Sequence, residues 1–442
     1  MKFFLINLQE KIFLLLLFSL PFIIPVWTIS RSSVSHTNWQ KIEFFNDEGV
    51  KFSSQKNYEK SIEYFSNALK LAPDNKTIKK NLAGTYLELA IDLKSKGEQD
   101  KAITLLENAV NLNASVEQVH VLLAKLYYEK GNLIDAEKET RIALLLKPKD
   151  PYLLKFLGHL NYLMEDYDDA LETFQTYNEQ CDLPFKDLEM DKIRKETKVF
   201  SQYKKMSCHP FVIHYPDDSF RQRAEWISKA LSKVYLRLGS WWGFYPESEI
   251  AVYLYPEKSF YEVTKSRMDV VGIYDGKIRL LVDHTSRMRL EQTAVHEYTH
   301  HAFSCSTHGN TPFWCNEGIA QLVAGQWDDL RAKMFDTAVD KDQILDFTQM
   351  EEVDSNYFDR YERCLAYIQS YVAMEFLVEK YGYGIINELI EGLKKEQTAV
   401  QVIEDITLLS MEEFKYELQD YYVEKRKQDH LEFASLKKSV VN

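Results

Sequence analysis

Arg289–Ala320 reads RLEQTAVHEYTHHAFSCSTHGNTPFWCNEGIA, and the spacing inside it decides how the C-terminal half of the chain folds. Leu290, Thr293, Ala294, Tyr298, Ala302 and Phe303 recur every three or four positions, the pattern of a helix with one apolar side. Inside that helix His296-Glu297-Tyr298-Thr299-His300 is an H-E-x-x-H. Residues four apart on a helix share a face, so both imidazoles can reach one metal ion. Glu297, next to the first of them, is placed to act on the metal's water as general base. With 11 His in 442 residues, this string arises by chance in only about 0.02 chains of such composition.

A zinc site built from two histidines needs a third protein ligand and an open position. Seventeen residues after His300 stands Glu317, in a segment that reads as the next helix. His301 is the neighbouring alternative, but it points about 100° round the helix from His300 and reads as a supporting or solvated residue. A three-histidine site would need Gly where Phe303 stands and His where Ser306 stands; His308 falls two residues too late.

Upstream of this helix the texture is strand-like. Phe211–Tyr215 and Ile250–Tyr255 are apolar runs separated by a helical pattern from about Phe220 to Leu238. Val270–Tyr274 and Ile278–Val282 flank Asp275-Gly276, a strong hairpin signal because Gly accepts the positive φ of a type I′ turn. From Arg289 onward the chain reads as helix almost to its end. Strands followed by helices define an α+β domain.

Residues 42–184 repeat. Gly49, Phe52, Ser61, Phe65, Ala68 and Pro73 form one unit, and Ala90, Leu93, Ala102, Leu106, Ala109 and Ala114 the next. Ala124, Tyr127, Ala136, Thr140, Ala143 and Pro148 form the third, and Leu157-Gly158, Asn161, Ala170, Phe174, Tyr177 and Asp182 the fourth. Positions 109, 143 and 177 recur with a period of 34. This resembles the tetratricopeptide repeat, in which small residues let the two helices of a hairpin approach and large ones fill the groove of the next. The resemblance implies an all-α solenoid whose concave face binds a protein partner; a spacer lifting the next domain off a membrane is the alternative.

Ile12–Ser30 is an uncharged run of 19 residues between Lys11 and Arg31. As a helix it would reach about 28 Å, close to the roughly 30 Å of a hydrocarbon core. No clear cleavage site follows it, so residues 1–35 read as an uncleaved membrane anchor, with a cleaved export signal as the alternative. Lys2 and Lys11 precede the run and only Arg31 follows closely, which places the bulk of the chain outside the cytoplasm, membrane-anchored or secreted or periplasmic. Lys+Arg of 54 against Asp+Glu of 67 gives a net charge of −13, which argues against a nucleic-acid partner held through phosphates. Five scattered cysteines, none in a C-x-x-C pair, exclude a disulfide scaffold and a cysteine-cluster metal site.

The H-E-x-T-H followed by Pro312-Phe313-Trp314-Cys315-Asn316-Glu317-Gly318-Ile319-Ala320 resembles the gluzincins of the peptidase MA-like superfamily. Asp275–Arg279 and Ala366-Tyr367-Ile368-Gln369-Ser370 also resemble exported members that carry tetratricopeptide repeats, and the likeness extends over about 209–425. The resemblance implies Zn²⁺ held by His296, His300 and Glu317, with Glu297 activating water to hydrolyse a peptide or protein substrate. It implies Tyr367 as oxyanion donor, with Tyr361 and Tyr371 as competitors and the usual K-G of that helix replaced by Gln369-Ser370. The G-x-M-E-N element of the aminopeptidases is missing, which favours an endopeptidase. The strand Ile278–Val282 would hold a peptide by strand addition or stand simply as a structural edge. Cys305 and Cys315 flank the loop before Glu317 and pair only if the geometry permits. Trp241-Trp242 reads as a core corner and Glu424–Lys427 as a solvated helix face.

The expected organisation is therefore an anchor at 1–35, about four repeats at 42–184, a linker at 185–207, an α+β metallopeptidase domain at 208–425 and a charged tail at 426–442. A non-catalytic scaffold, in which the repeats recruit partners and the second domain is structural, is the rival from another functional class.

Overall fold

The computed structural model describes residues 36–112, 114–180, 187–246, 248–268, 270–351 and 358–441. The expected anchor at 1–35 lies outside the described residues. Among these, no helix is long and apolar enough to cross a membrane. The chain divides into two compact units, with the main boundary between Arg194 and Lys195 and with Glu129–Gly131 grouped in the second.

The first unit is a run of helices: α1 (His36–Ser54), α2 (Tyr58–Leu71), α3 (Lys76–Ser95), α4 (Gln99–Asn111), α5 (Glu117–Glu129), α6 (Leu133–Leu146), α7 (Pro151–Leu163) and α8 (Tyr167–Gln180). They form the four helical pairs of a tetratricopeptide solenoid. The repeat pattern works sterically. A Cβ on Gly49 would lie 2.7 Å from Phe65, and one on Gly158 would lie 2.7 Å from Phe174, so each large ring fills the space its glycine leaves. Ala68, Ala102, Ala136, Ala143 and Ala170 are completely buried where helices meet. Asn57, Asn75, Asn132 and Asp150 start α2, α3, α6 and α7 by accepting backbone N–H groups of the first turn. In the third pair His120 Nδ1 lies 2.7 Å from Glu139 Oε2, a buried contact between α5 and α6.

The second unit opens in the segment expected to be a linker. Helix α9 (Asp187–Phe200), which belongs to the second unit only from Lys195 onward, and strand β1 (Lys204–Cys208) occupy it. Its charge density is misleading because Glu196 is fully buried against Arg279. Phe200 stacks on Tyr253 with ring centroids 3.9 Å apart. The sheet has order β1-β2-β3-β5-β4, with β2 (Phe211–Tyr215), β3 (Ile250–Tyr255) and β5 (Ile278–Leu281) parallel. Strands β1 and β4 (Gly272–Tyr274) are antiparallel on the two edges. The expected hairpin forms, with Gly276 at φ 92°. Its second strand is not an edge, however. Pairing with β3 on one side and β4 on the other encloses β5, and the three-residue β4 is the free rim.

One face of the sheet carries α10 (Arg221–Trp242) and α12 (Arg287–Ser306) over a core of Phe211, Ile213, Val252, Leu254, Ile278 and Leu280. The other face holds Tyr253, Tyr255 and the residues of α11 (Glu257–Thr264). Beyond them a helical layer comprises α13 (Phe313–Ala324), α14 (Asp329–Asp340), α15 (Phe347–Glu351), α16 (Arg360–Tyr381), α17 (Gly384–Lys394), α18 (Ala399–Thr407) and α19 (Met411–Val441) around its own apolar core. Trp242 packs against both cores, whereas Trp241 lies at the surface beside Tyr383. In the charged stretch of α19, Lys425 pairs with Glu375 and Glu379, and Arg426 with Asp336 and Asp340, so this face is tied down.

Arg279 is the charged centre of the β5 hairpin. Its Nη1 lies 3.0 Å from Glu196 Oε1 and 2.7 Å from the Tyr255 hydroxyl, and its Nε donates to Asp275 at 3.0 Å. Replacing Arg279 by Ala leaves buried carboxylates without their cation. The expected loss is about 3–5 kcal/mol in the denaturant-induced unfolding of the second unit.

Candidate metal centre

Helix α12 begins where the Ser286 side chain accepts from the Arg289 N–H, and Tyr298, Ala302 and Leu290 seat it on the sheet. Helix α13 follows Pro312 and ends at Gly325, whose φ of 65° closes it in the left-handed region. These two helices bring the three candidate ligands together. His296 Nε2 and His300 Nε2 lie 3.0 Å apart, with the rings at 90° to one another. His296 Nε2 is 3.6 Å from Glu317 Oε2, and His300 Nε2 is 3.6 Å from Glu317 Oε1. A tetrahedral zinc with bonds of about 2.0–2.2 Å separates neighbouring donors by about 3.3–3.5 Å. The observed separations straddle that value.

The donor chemistry fits as well. Glu317 Oε2 is buried without a hydrogen-bond partner, and it faces imidazole nitrogens that offer lone pairs when neutral. Burial, the neighbouring His300 and Arg331 all hold His296 well below the usual imidazole range, so it is the neutral form that a metal requires. Burial raises Glu317 while His300 opposes the shift. A divalent cation bound here would take the carboxylate oxygen and the imidazole lone pairs as its ligands. Among the described residues, this is the one cluster of three or more His, Cys, Asp or Glu side chains spaced to hold a metal ion.

Asn316 supplies a part that the sequence reading passed over. Its Oδ1 lies 2.9 Å from His300 Nδ1, where it accepts the ring proton and leaves the Nε2 lone pair facing Glu317. No local pattern in the sequence marks it, because the contact runs from one helix to the next.

Glu297 lies against the edge strand, near enough to Glu317 for the two charges to interact. A Cβ on Gly272 would lie 2.5 Å from Glu297 Oε1, so only glycine admits the carboxylate there. The Tyr274 backbone N–H donates to Glu297, which favours the ionised form. Burial, then Glu317 and Asp275, push in the other direction and raise it well above the usual carboxylate range. One turn on, His301 Nδ1 meets the Tyr274 hydroxyl at 2.9 Å, so this tyrosine touches α12 through both backbone and side chain. His301 is thus a buried partner of the edge strand, and burial lowers it to about 4.

Tyr367 lies on α16, across from α13. Gly318 lets the two helices cross so closely that a Cβ there would collide with the Ser370 carbonyl. Gln321 Nε2 donates to the Tyr367 carbonyl at 2.9 Å, and the phenol senses Glu317 and Glu297, whose charges raise it above its ordinary range. Of its competitors, Tyr371 is buried and hydrogen-bonds Glu375, while Tyr361 is exposed. Cys305 and Cys315 are both buried free thiols, and burial pushes Cys305 up to about 12.

Such a pair of helices, carrying H-E-x-x-H on one and N-E-G on the other beside a sheet edge, marks a peptidase-like domain. The comparisons agree. Residues 279–423 match the Peptidase MA superfamily and residues 52–75 match a tetratricopeptide repeat, so the chain carries a repeat region followed by a Peptidase MA-like domain. The chain is 22% identical over 191 residues to the uncharacterized protein YhcO of Bacillus subtilis strain 168. That match covers 39% of this chain, and the chain spans 58% of the length of this curated relative. Among solved structures, a crystal structure of MamA protein shares 19% identity over 31% of this chain and 72% of that one, with a TM-score of 0.25. A thermophilic tetratricopeptide repeat protein of Thermus thermophilus shares 21% over 34% of this chain and 95% of that one, with a TM-score of 0.19. At TM-scores this low, neither likeness bears on function.

Asn316→Ala should leave the fold intact and weaken divalent-metal affinity about 10–100-fold, the usual effect of removing a ligand's orienting partner. Competition with a graded series of chelators measures it, and unchanged affinity would remove Asn316 from the site.

Proposed function

We propose that this protein is a zinc-dependent endopeptidase, anchored by Ile12–Ser30 with its catalytic domain outside the cytoplasm, and that its repeats recruit a protein partner. The observation that carries the reading is the spacing of the His296, His300 and Glu317 donors, 3.0–3.6 Å apart in a nearly dry slot. A zinc ion held there would supply a Lewis acid that polarises the scissile carbonyl and acidifies water. The chain's own residues do the rest. Glu297, beside that position, takes a proton from the attacking water and delivers it to the leaving amine. Its raised proton affinity suits it to both halves of that transfer. Tyr367 donates a hydrogen bond to the oxygen on which negative charge develops.

Strand β4 is the natural guide for the substrate. Leu281 N–H donates to the Val271 carbonyl, so Val271 and Ile273 direct their backbone groups at β5. Gly272 and Tyr274 then turn theirs outward; the Tyr274 N–H is taken by Glu297, which leaves the Gly272 N–H and carbonyl for an extended peptide. The absence of a G-x-M-E-N segment from the sequence supports internal cleavage over capture of a free amine.

Two experiments on the purified full-length chain test this. Elemental analysis should find about one zinc per chain, lost in Glu317→Ala. Glu297→Gln should keep the metal while cleavage of a peptide library falls by about 10²–10⁴-fold, the span attributed to general base catalysis. Absence of metal from well-folded protein supplied with zinc would refute the reading. A Gly272→Ala variant should displace the Glu297 carboxylate, lowering kcat by tenfold or more, as about 1.4 kcal/mol of lost transition-state stabilisation requires, without altering zinc content.

A further inference from the structure

Helix α13 displays more than a metal ligand. Phe313 precedes Glu317 by one turn and Gln321 follows it by one, so the three side chains share a face. Gln321 holds the Tyr367 carbonyl, and the close crossing at Gly318 and Ser370 fixes α16 against α13. Under those restraints the Tyr367 ring meets the Phe313 ring edge-on, with centroids 5.1 Å apart and planes at 83°.

The surroundings of this pair differ from those of the rings deeper in the helical layer. Phe347 and Phe376 are enclosed, and Tyr371, one turn along α16 from Tyr367, is only 7% exposed. Tyr367 is 43% exposed and Phe313 only partly covered, so the pair borders solvent within one helical turn of the candidate ligand. Polar groups also border the centre, where Gln326 hydrogen-bonds His296 and Arg331 acts on its charge.

We propose that Phe313 and Tyr367 form the wall of a substrate pocket that selects peptides with a large apolar or aromatic side chain next to the scissile bond. The proposal rests on the metallopeptidase reading. Phe313 sets the specificity: its ring supplies one surface of the pocket and braces the ring of Tyr367. A substrate phenyl group would lie against both rings with offset or edge-on geometry, shedding water from all three. An alanine side chain reaches neither ring.

The test uses the full-length chain carrying Glu297→Gln, which binds without cleaving, and fluorescein-labelled hexapeptides that differ only by Phe or Ala at one position. Fluorescence anisotropy should show the preferred Phe peptide binding about 10–100-fold tighter than its Ala counterpart, the range for a hydrophobic pocket. Adding Phe313→Ala should bring that ratio below about threefold, and Phe313→Tyr should restore it, with zinc content and Tm following the parent. Phe313→Leu keeps the apolar bulk without the ring and should give an intermediate ratio. A ratio unchanged in both Phe313→Ala and Phe313→Leu, in protein with full zinc and parental Tm, overturns the wall. Failure of every peptide to bind a parent chain that also holds no zinc overturns the metallopeptidase reading, and the wall with it.

Discussion

Two imidazoles and a carboxylate are held with their donor atoms 3.0–3.6 Å apart in a slot that leaves 10–15% of each side chain exposed. Within the triad the two Nε2 atoms can share one proton, but Glu317 Oε2 is buried with no donor. That arrangement is costly unless a cation joins it. The architecture of the second unit serves to impose it. The sheet fixes α12 through Leu290, Ala294, Tyr298 and Ala302. The Gly318 crossing fixes α13 on α16, and the Asn316 contact aligns the two ligand-bearing helices at the centre itself.

A second restraint reaches the same centre from the far side of the sheet. Arg279 joins Glu196 on α9 to Asp275 at the turn between β4 and β5, and that turn is one residue from the backbone N–H that holds Glu297. The position of the candidate base thus depends on a buried ion pair, one member of which, Glu196, lies in a segment that looks, by composition, like solvated linker. This is a use of buried charge for placement more than for stability, since an apolar substitute would fill the space without orienting the turn.

Much of this was legible in the sequence because helix periodicity and motif spacing report on the same geometry. Four-residue spacing put His296 and His300 on one face, the Asp275-Gly276 dipeptide announced the hairpin, and the small residues of the repeats marked where helices meet. What escaped had no local signature. Asn316 and Gly272 act across the fold, on His300 and Glu297, and neither contact can be read from a neighbour in the chain. The order of strands escaped for the same reason. Ile278–Val282 is apolar enough to be an edge or an interior strand, and only its parallel pairing with Ile250–Tyr255 decides between them. Glu196 was hidden by its charged neighbours in Lys186–Ser207, since composition cannot tell a charge facing water from one facing an arginine.

The rim strand β4 is three residues long. A polypeptide adding to it gains few backbone hydrogen bonds, but it must be fully extended and stripped of its own secondary structure where it does so. Regular elements of a folded protein do not meet that condition until they open. The rate at which a folded target is processed would therefore follow the free energy of its own local opening, and flexible loops and unfolded chains would be taken in preference to helices and sheets that carry the same side chains. A short rim would thus make the conformational state of the target, as much as its sequence, a determinant of selection.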